Sequence, residues 1–133
     1  MKRLLLFLVV IFSLSNIHTA YAQNVQNFTI DSFVADYYLS KDDKNVSQLR
    51  VEETIVAQFP EYDQNHGIER AIPFKYKGNN LNLQINSVKK ADGTAWNYTT
   101  YSKNDNKILR IGDANRYVHG SQTFKINYSL RDV

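Results

Sequence analysis

The chain has 133 residues, no cysteine, and 16 lysines and arginines against 13 aspartates and glutamates. The missing cysteines exclude disulfides, thiolate metal sites, cysteine nucleophiles and thiol redox chemistry. Setting aside Lys2 and Arg3 at the amino terminus leaves 14 basic side chains against 13 acidic ones, a net +1 with no broad basic face to release counterions, so nucleic acid is not an expected partner.

Residues 1–22 have the three parts of a secretory signal peptide: Lys2 and Arg3, the apolar run Leu4 to Phe12, and a polar stretch ending Ala20-Tyr21-Ala22. The run is well short of the roughly 20 apolar residues a spanning helix needs. The expectation is therefore a signal-peptide helix removed before Gln23, and a mature chain of about 110 residues, enough for one domain with its own core. Without disulfides, burial must stabilise that exported domain unaided.

From there the apolar residues recur mostly every second position, as in half-buried strands. Phe33, Ala35, Tyr37 and Leu39 alternate with Val34, Asp36 and Tyr38, and SKDDKN from Ser40 to Asn45 forms a turn. Leu49, Val51, Ile55, Ala57 and Phe59 then share one parity, predicting the partner strand of a hairpin. Ile68 to Tyr76 forms a further apolar patch, in which Pro73 lacks the N–H a central strand needs and so predicts an edge or broken strand.

Leu81, Leu83 and Ile85 alternate with Asn82, Gln84 and Asn86 and predict a strand, turned by Ala91-Asp92-Gly93-Thr94 into the segment starting at Trp96, Tyr98 and Thr100. Lys103 to Asn106 turns the chain into Ile108 to Ile111, Gly112 to Asn115 turns it again, and Phe124, Ile126, Tyr128 and Leu130 mark the last strand. No apolar stripe of helical period persists. Six or seven short strands without helices predict an all-β domain over residues 23–133, an immunoglobulin-like antiparallel β-sandwich, with a small β-barrel as the alternative.

Glu53 breaks the pattern of its strand, sharing the inward parity of Val51 and Ile55. A buried carboxylate needs a partner. Arg70 is the expected one, brought back by a turn at His66-Gly67, and its guanidinium can grip both carboxylate oxygens; Glu69 and Arg110 compete as partners. The functional reading makes Glu53, His66 and Asp113 an acid/base site. The structural reading makes Glu53 and Arg70 an ion pair holding a loop to the sheet, and it is preferred because no nucleophile or metal is there for a base to activate.

His66 is expected to bond a backbone carbonyl, and Gly67 to supply a turn conformation closed to other residues. His66 and His119, the two histidines beyond the leader, match no ligand spacing, and neither DDKN nor DQNHG fills a calcium loop, so no metal or cofactor is expected. No phosphate-binding glycine loop or nucleophile elbow appears, and no catalytic residue is assigned. Aromatic residues are plentiful: Tyr37, Tyr38, Tyr62, Tyr76, Trp96, Tyr98, Tyr101 and Tyr117 raise the possibility of stacking on sugars, against the ordinary preference of such rings for pleated surfaces. The sequons at Asn27, Asn45, Asn97 and Asn127 matter only in a host with the eukaryotic glycosylation pathway.

Four ordered motifs carry a resemblance: Val51-Glu52-Glu53-Thr54-Ile55, then His66-Gly67-Ile68-Glu69-Arg70-Ala71-Ile72-Pro73, then Arg110-Ile111-Gly112-Asp113, then Val118-His119-Gly120 leading to Thr123-Phe124-Lys125-Ile126-Asn127-Tyr128. In these the chain resembles the amino-terminal part of bacterial predicted membrane proteins with domain of unknown function 2207. The resemblance implies an extracytoplasmic β-sandwich followed by transmembrane helices and a Gly-rich tail. The sequence stops at Val133 without them, so it is expected to be the amino-terminal fragment of a longer, membrane-anchored protein whose last strand here leaves an exposed edge.

The function expected from these residues is an exported sensor, binding or scaffold domain, with a protein or glycan ligand. Its candidate binding surface lies on the loop from Pro60 to Pro73 and on the Gly112 to Gly120 region, with His66, Gly67, Arg110, Asp113 and His119 as the residues to watch. A cell-envelope glycan-binding or glycan-hydrolysing domain is the alternative.

Overall fold

The computed structural model describes residues 25–132; the expected signal peptide lies outside them. The described chain is all β, in nine strands: β1 (Thr29–Lys41), β2 (Ser47–Phe59), β3 (Gly67–Pro73), β4 (Lys75–Tyr76), β5 (Asn79–Asn80), β6 (Gln84–Lys89), β7 (Tyr98–Lys103), β8 (Asn106–Gly112) and β9 (Gly120–Arg131). A four-stranded sheet runs in the order β1-β2-β9-β6 and a three-stranded one in the order β3-β8-β7, all pairs antiparallel, with β4 and β5 forming a small ribbon. Both larger sheets keep open edges, so the barrel alternative is excluded. Among the described residues no helix is long and apolar enough to cross a membrane.

The two larger sheets share one core. Val51, Ile55, Ala57 and Phe59 of β2 with Phe124, Ile126 and Tyr128 of β9 meet Ile68 and Ile72 of β3 and Leu109 and Ile111 of β8. Period-two alternation produces this directly, because β2 and β9 each send every second side chain to the same layer. Trp96 closes one end, its ring stacked 4.9 Å from that of Phe124 and its indole N–H donated to the Thr123 carbonyl at 3.0 Å.

The turns follow their residues. Asp42 Oδ1 accepts the N–H groups of Lys44 and Val46, and Asn45 takes φ +59°, which joins β1 to β2. Asn104 and Asp105, at φ +49° and +59°, close the β7–β8 hairpin, the conformation for which Asn and Asp are favoured.

Several expectations are corrected. The strand predicted from Leu81 begins at Gln84, because Asn82 sits at φ +46° and interrupts the alternation. The segment after Asp92-Gly93 pairs only briefly with β6, through the Lys89–Ala95 bridge, and then crosses to the other sheet as β7. The last strand is no edge: β9 lies between β2 and β6, and the edges of that sheet are β1 and β6. Phe33, Tyr37 and Leu39, on the parity that faces inward in β2, are at least half exposed, because the three-stranded sheet does not extend over β1.

Candidate functional site

Glu53 lies mid-strand in β2, opposite Ala35 of β1 and Ile126 of β9, and its side chain is fully buried. Arg70 comes from β3 in the other sheet, so the contact spans the two layers. Arg70 Nε donates to Glu53 Oε2 at 2.8 Å and Nη2 to Oε1 at 2.6 Å. Tyr128 on β9 adds a third donor, its hydroxyl 3.0 Å from Oε1. The remaining Arg70 nitrogen donates to the Ala71 carbonyl, and the guanidinium lies 5.6 Å from the Phe33 ring centroid.

These contacts set the electrostatics of the cluster. The bond to Glu53 holds the Arg70 guanidinium still more firmly in its charged form. Burial pushes the Tyr128 phenol up from its ordinary 10.0, and the Glu53 carboxylate beside it pushes the same way. Both carboxylate oxygens are thus engaged as acceptors, by a two-pronged guanidinium and a phenol. Chemically the cluster ties β2, β3 and β9 together.

Gly67 opens β3 opposite Gly112 at the end of β8. The expected turn at His66-Gly67 is therefore corrected: Gly67 is a strand residue, and its glycine is required by close approach as well as by φ +140°. A Cβ there would sit 1.8 Å from the Ile111 carbonyl oxygen, and one on Gly112 the same distance from that of His66.

This junction holds two loops together. His66 Nδ1 lies 2.9 Å from the Arg116 carbonyl, and its ring stacks on Tyr117 with centroids 4.3 Å apart. His119 Nε2 lies 2.9 Å from Asp63 Oδ1. Asp113 accepts from the Asn115 N–H at 2.9 Å and from the Asn97 amide at 3.4 Å. Beneath them Asn65 is buried; its carbonyl accepts from Val118 N–H at 2.8 Å and its amide donates to the Val25 carbonyl at 2.6 Å, while its side-chain oxygen has no partner among the described residues.

His66, Gly67, Asp113 and His119 are thus on one loop surface, beside an open cleft of about 500 Å³ lined by Trp96, Asn97, Asp113, Arg116, Tyr117 and His119. Arg110 stands apart on the outward face of β8, with its Nε 2.9 Å and its Nη2 2.8 Å from Glu69 Oε1. Among the described residues no group of three or more His, Asp or Glu is placed to hold a metal ion. The aromatic rings are dispersed: Tyr37 and Tyr38 on β1, Tyr98 and Tyr101 on β7, Tyr76 on β4, and Tyr62 and Tyr117 in loops.

Sequence reasoning does not name Tyr128 as part of a site, and it includes Asn65 and Gly112 only as members of the candidate loop regions, without the buried amide or the paired glycines. Tyr128 had a signal, since an inward tyrosine between Ile126 and Leu130 needs a polar partner. The other two are set by loop packing that no local pattern encodes.

A family model described as predicted membrane protein (DUF2207) N-terminal domain matches residues 29–133. The chain belongs to that family. The match covers every strand from β1 to β9, so the cluster and the loop surface both lie inside the DUF2207 domain. The family description names a membrane protein and assigns no activity. No curated protein and no solved structure matches the chain.

Proposed function

We propose that this DUF2207 domain is an exported, extracytoplasmic binding or scaffold domain of a membrane protein, an immunoglobulin-like sandwich delivered by the leader at residues 1–22. The observation that carries this reading is the state of Glu53: its two oxygens accept three hydrogen bonds from Arg70 and Tyr128 across the two layers, which favours a structural role for it over acid/base chemistry. In this reading Glu53 and Arg70 are a structural ion pair, with Tyr128 as its third member. The pair holds the layers in register, and the function resides on the loops around His66, Gly67, Asp113 and His119.

The family description and the leader together support membrane tethering in the full-length protein. Fusing alkaline phosphatase, which is active only after export, behind Val133 tests the orientation. High phosphatase activity is expected; low activity would overturn export, and activity that is unchanged when Leu6→Arg and Val9→Arg interrupt the leader would overturn the leader's part in it.

A glycan ligand is the second reading, favoured by the cleft beside Trp96 and Tyr117. Both rings there already have partners: Trp96 lies between Phe124 and the Lys90 ammonium, which is 4.8 Å from its centroid, and Tyr117 stacks on His66. A protein ligand therefore fits the loop surface better. Retention on an envelope polysaccharide column, abolished by Tyr117→Ala, would reverse that preference.

A further inference from the structure

β1 is the outer strand of the four-stranded sheet, and its 13 residues carry apolar side chains on both faces. Phe33, Tyr37 and Leu39 are 50%, 63% and 73% exposed on the inward parity, and Ile30, Val34 and Tyr38 are about as open. At roughly half exposure, six such side chains leave on the order of 600 Å² of apolar surface on a single strand. Divided between the two faces of the strand, that surface flanks the edge on both sides.

The inward side is open for a topological reason. Four strands face three, and the cover ends at β3, whose Arg70 reaches Glu53 and touches Phe33. Tyr37 and Leu39 lie farther along the same strand, toward the β1–β2 turn.

Sheet edges are ordinarily blunted by proline, inward lysine or brevity. β1 has no proline and no glycine, its one lysine is the terminal Lys41, and its pairing with β2 is interrupted only near its start, between Ile30 and Ser32. Among the described residues its outer edge pairs with no other strand.

We propose that this edge pairs with the same edge of a second copy, β1 against β1 in antiparallel orientation about a two-fold axis, making one continuous eight-stranded sheet. A two-fold axis normal to the sheet keeps each residue on its own face and puts one residue opposite itself. Centring on Ala35 overlaps all 13 residues of β1. It sets Phe33 of each copy opposite the partner's Tyr37, an aromatic cross-strand pair formed twice. Moving the centre to Asp36 sets that carboxylate against itself, which like-charge repulsion disfavours, and moving it to Val34 loses the Phe33–Tyr37 pair.

Cysteine substitution reads the register directly, because the chain contains no cysteine. In the purified chain, Ala35→Cys should form an intermolecular disulfide under mild oxidation, since opposed residues bring Cα atoms within about 4.5 to 5.5 Å. Thr100→Cys on β7, the far edge of the other sheet, should not. Light scattering on the unmodified chain should give twice the chain mass at tens of micromolar, and the exposed double substitution Phe33→Lys with Tyr37→Lys should give a monomer with an unchanged far-ultraviolet spectrum.

A monomeric unmodified chain at those concentrations would overturn the proposal, and so would cross-linking equal at both positions. A dimer that survives the double lysine substitution would place the interface elsewhere and equally overturn it. Should that variant fail to fold, Val34→Lys on the outward face provides the same reading, with loss of the dimer expected.

Discussion

Gly67 and Gly112 stand opposite each other where β3 and β8 meet, each so near the other's strand that neither has room for a side chain. A Cβ on either would lie 1.8 Å from a carbonyl oxygen, and both residues have φ near +140°. The two loops of the candidate surface leave the sheet from this junction.

Replacing Gly67 with Ala is expected to destabilise the domain by at least about 2 kcal/mol, combining backbone strain with a clash against backbone that no rotamer can relieve. Gly93→Ala should cost less, since φ there is also positive but the space is empty. Urea midpoints of the two variants compare them, and equal losses would contradict the steric account.

Arg70→Met leaves Glu53 buried with only Tyr128 as donor. The expected loss is about 3 kcal/mol, the low end for a broken buried pair because the Arg70 side chain is 28% exposed. Adding Glu53→Leu should recover most of it, since an apolar pair of similar volume removes the unpaired charge. A double-mutant cycle by chemical denaturation measures the coupling, and simple additivity of the two losses would count against an ion pair.

Tyr128→Phe removes one hydrogen bond to a charged acceptor with little change of shape, for an expected loss of about 1.5 to 3 kcal/mol. The same tyrosine gives an alkaline signature. Burial raises its folded value above 10.0, so above pH 10 the unfolded chain loses a proton that the folded one keeps. Unfolding then becomes more favourable as pH rises. Denaturant midpoints from pH 9 to 11.5 should fall in the native domain and fall less steeply in Tyr128→Phe.

At the acid end, Asp42 and Asp92 titrate below 3.8. The Val46 N–H lowers Asp42 most, with further help from Lys44 N–H and Arg131, while the Thr94 hydroxyl and then its N–H lower Asp92. Depressed carboxyls stabilise the fold above their unfolded value, and that contribution is lost as pH falls through the lower folded one. Midpoints measured from pH 5 to pH 2 should therefore drop below about pH 4, and Asp42→Ala with Asp92→Ala should flatten that limb.

The inward direction of Glu53 was legible in the sequence because strand parity is a local property: it needs only Val51 and Ile55 two residues away on either side. Which guanidinium reaches it was less so, because that depends on which strand of the other sheet crosses β2. Arg70 arrives there because Gly67 starts a strand rather than forming a turn. His66 could be read as a loop histidine, but its bond to the Arg116 carbonyl joins positions 50 residues apart.

Local chemistry determined the all-β class, the β1–β2 hairpin and the alternation of β2 and β9, since side-chain period and turn residues act over a few positions. Tertiary structure alone decided that β9 enters between β2 and β6, that β7 leaves its neighbour in sequence for the second sheet, and that the apolar ridge of β1 stays open. Those outcomes follow from how the two layers cover each other. A strand's residues specify which of its faces is apolar, but the number and placement of strands in the opposite layer decide whether that face is buried.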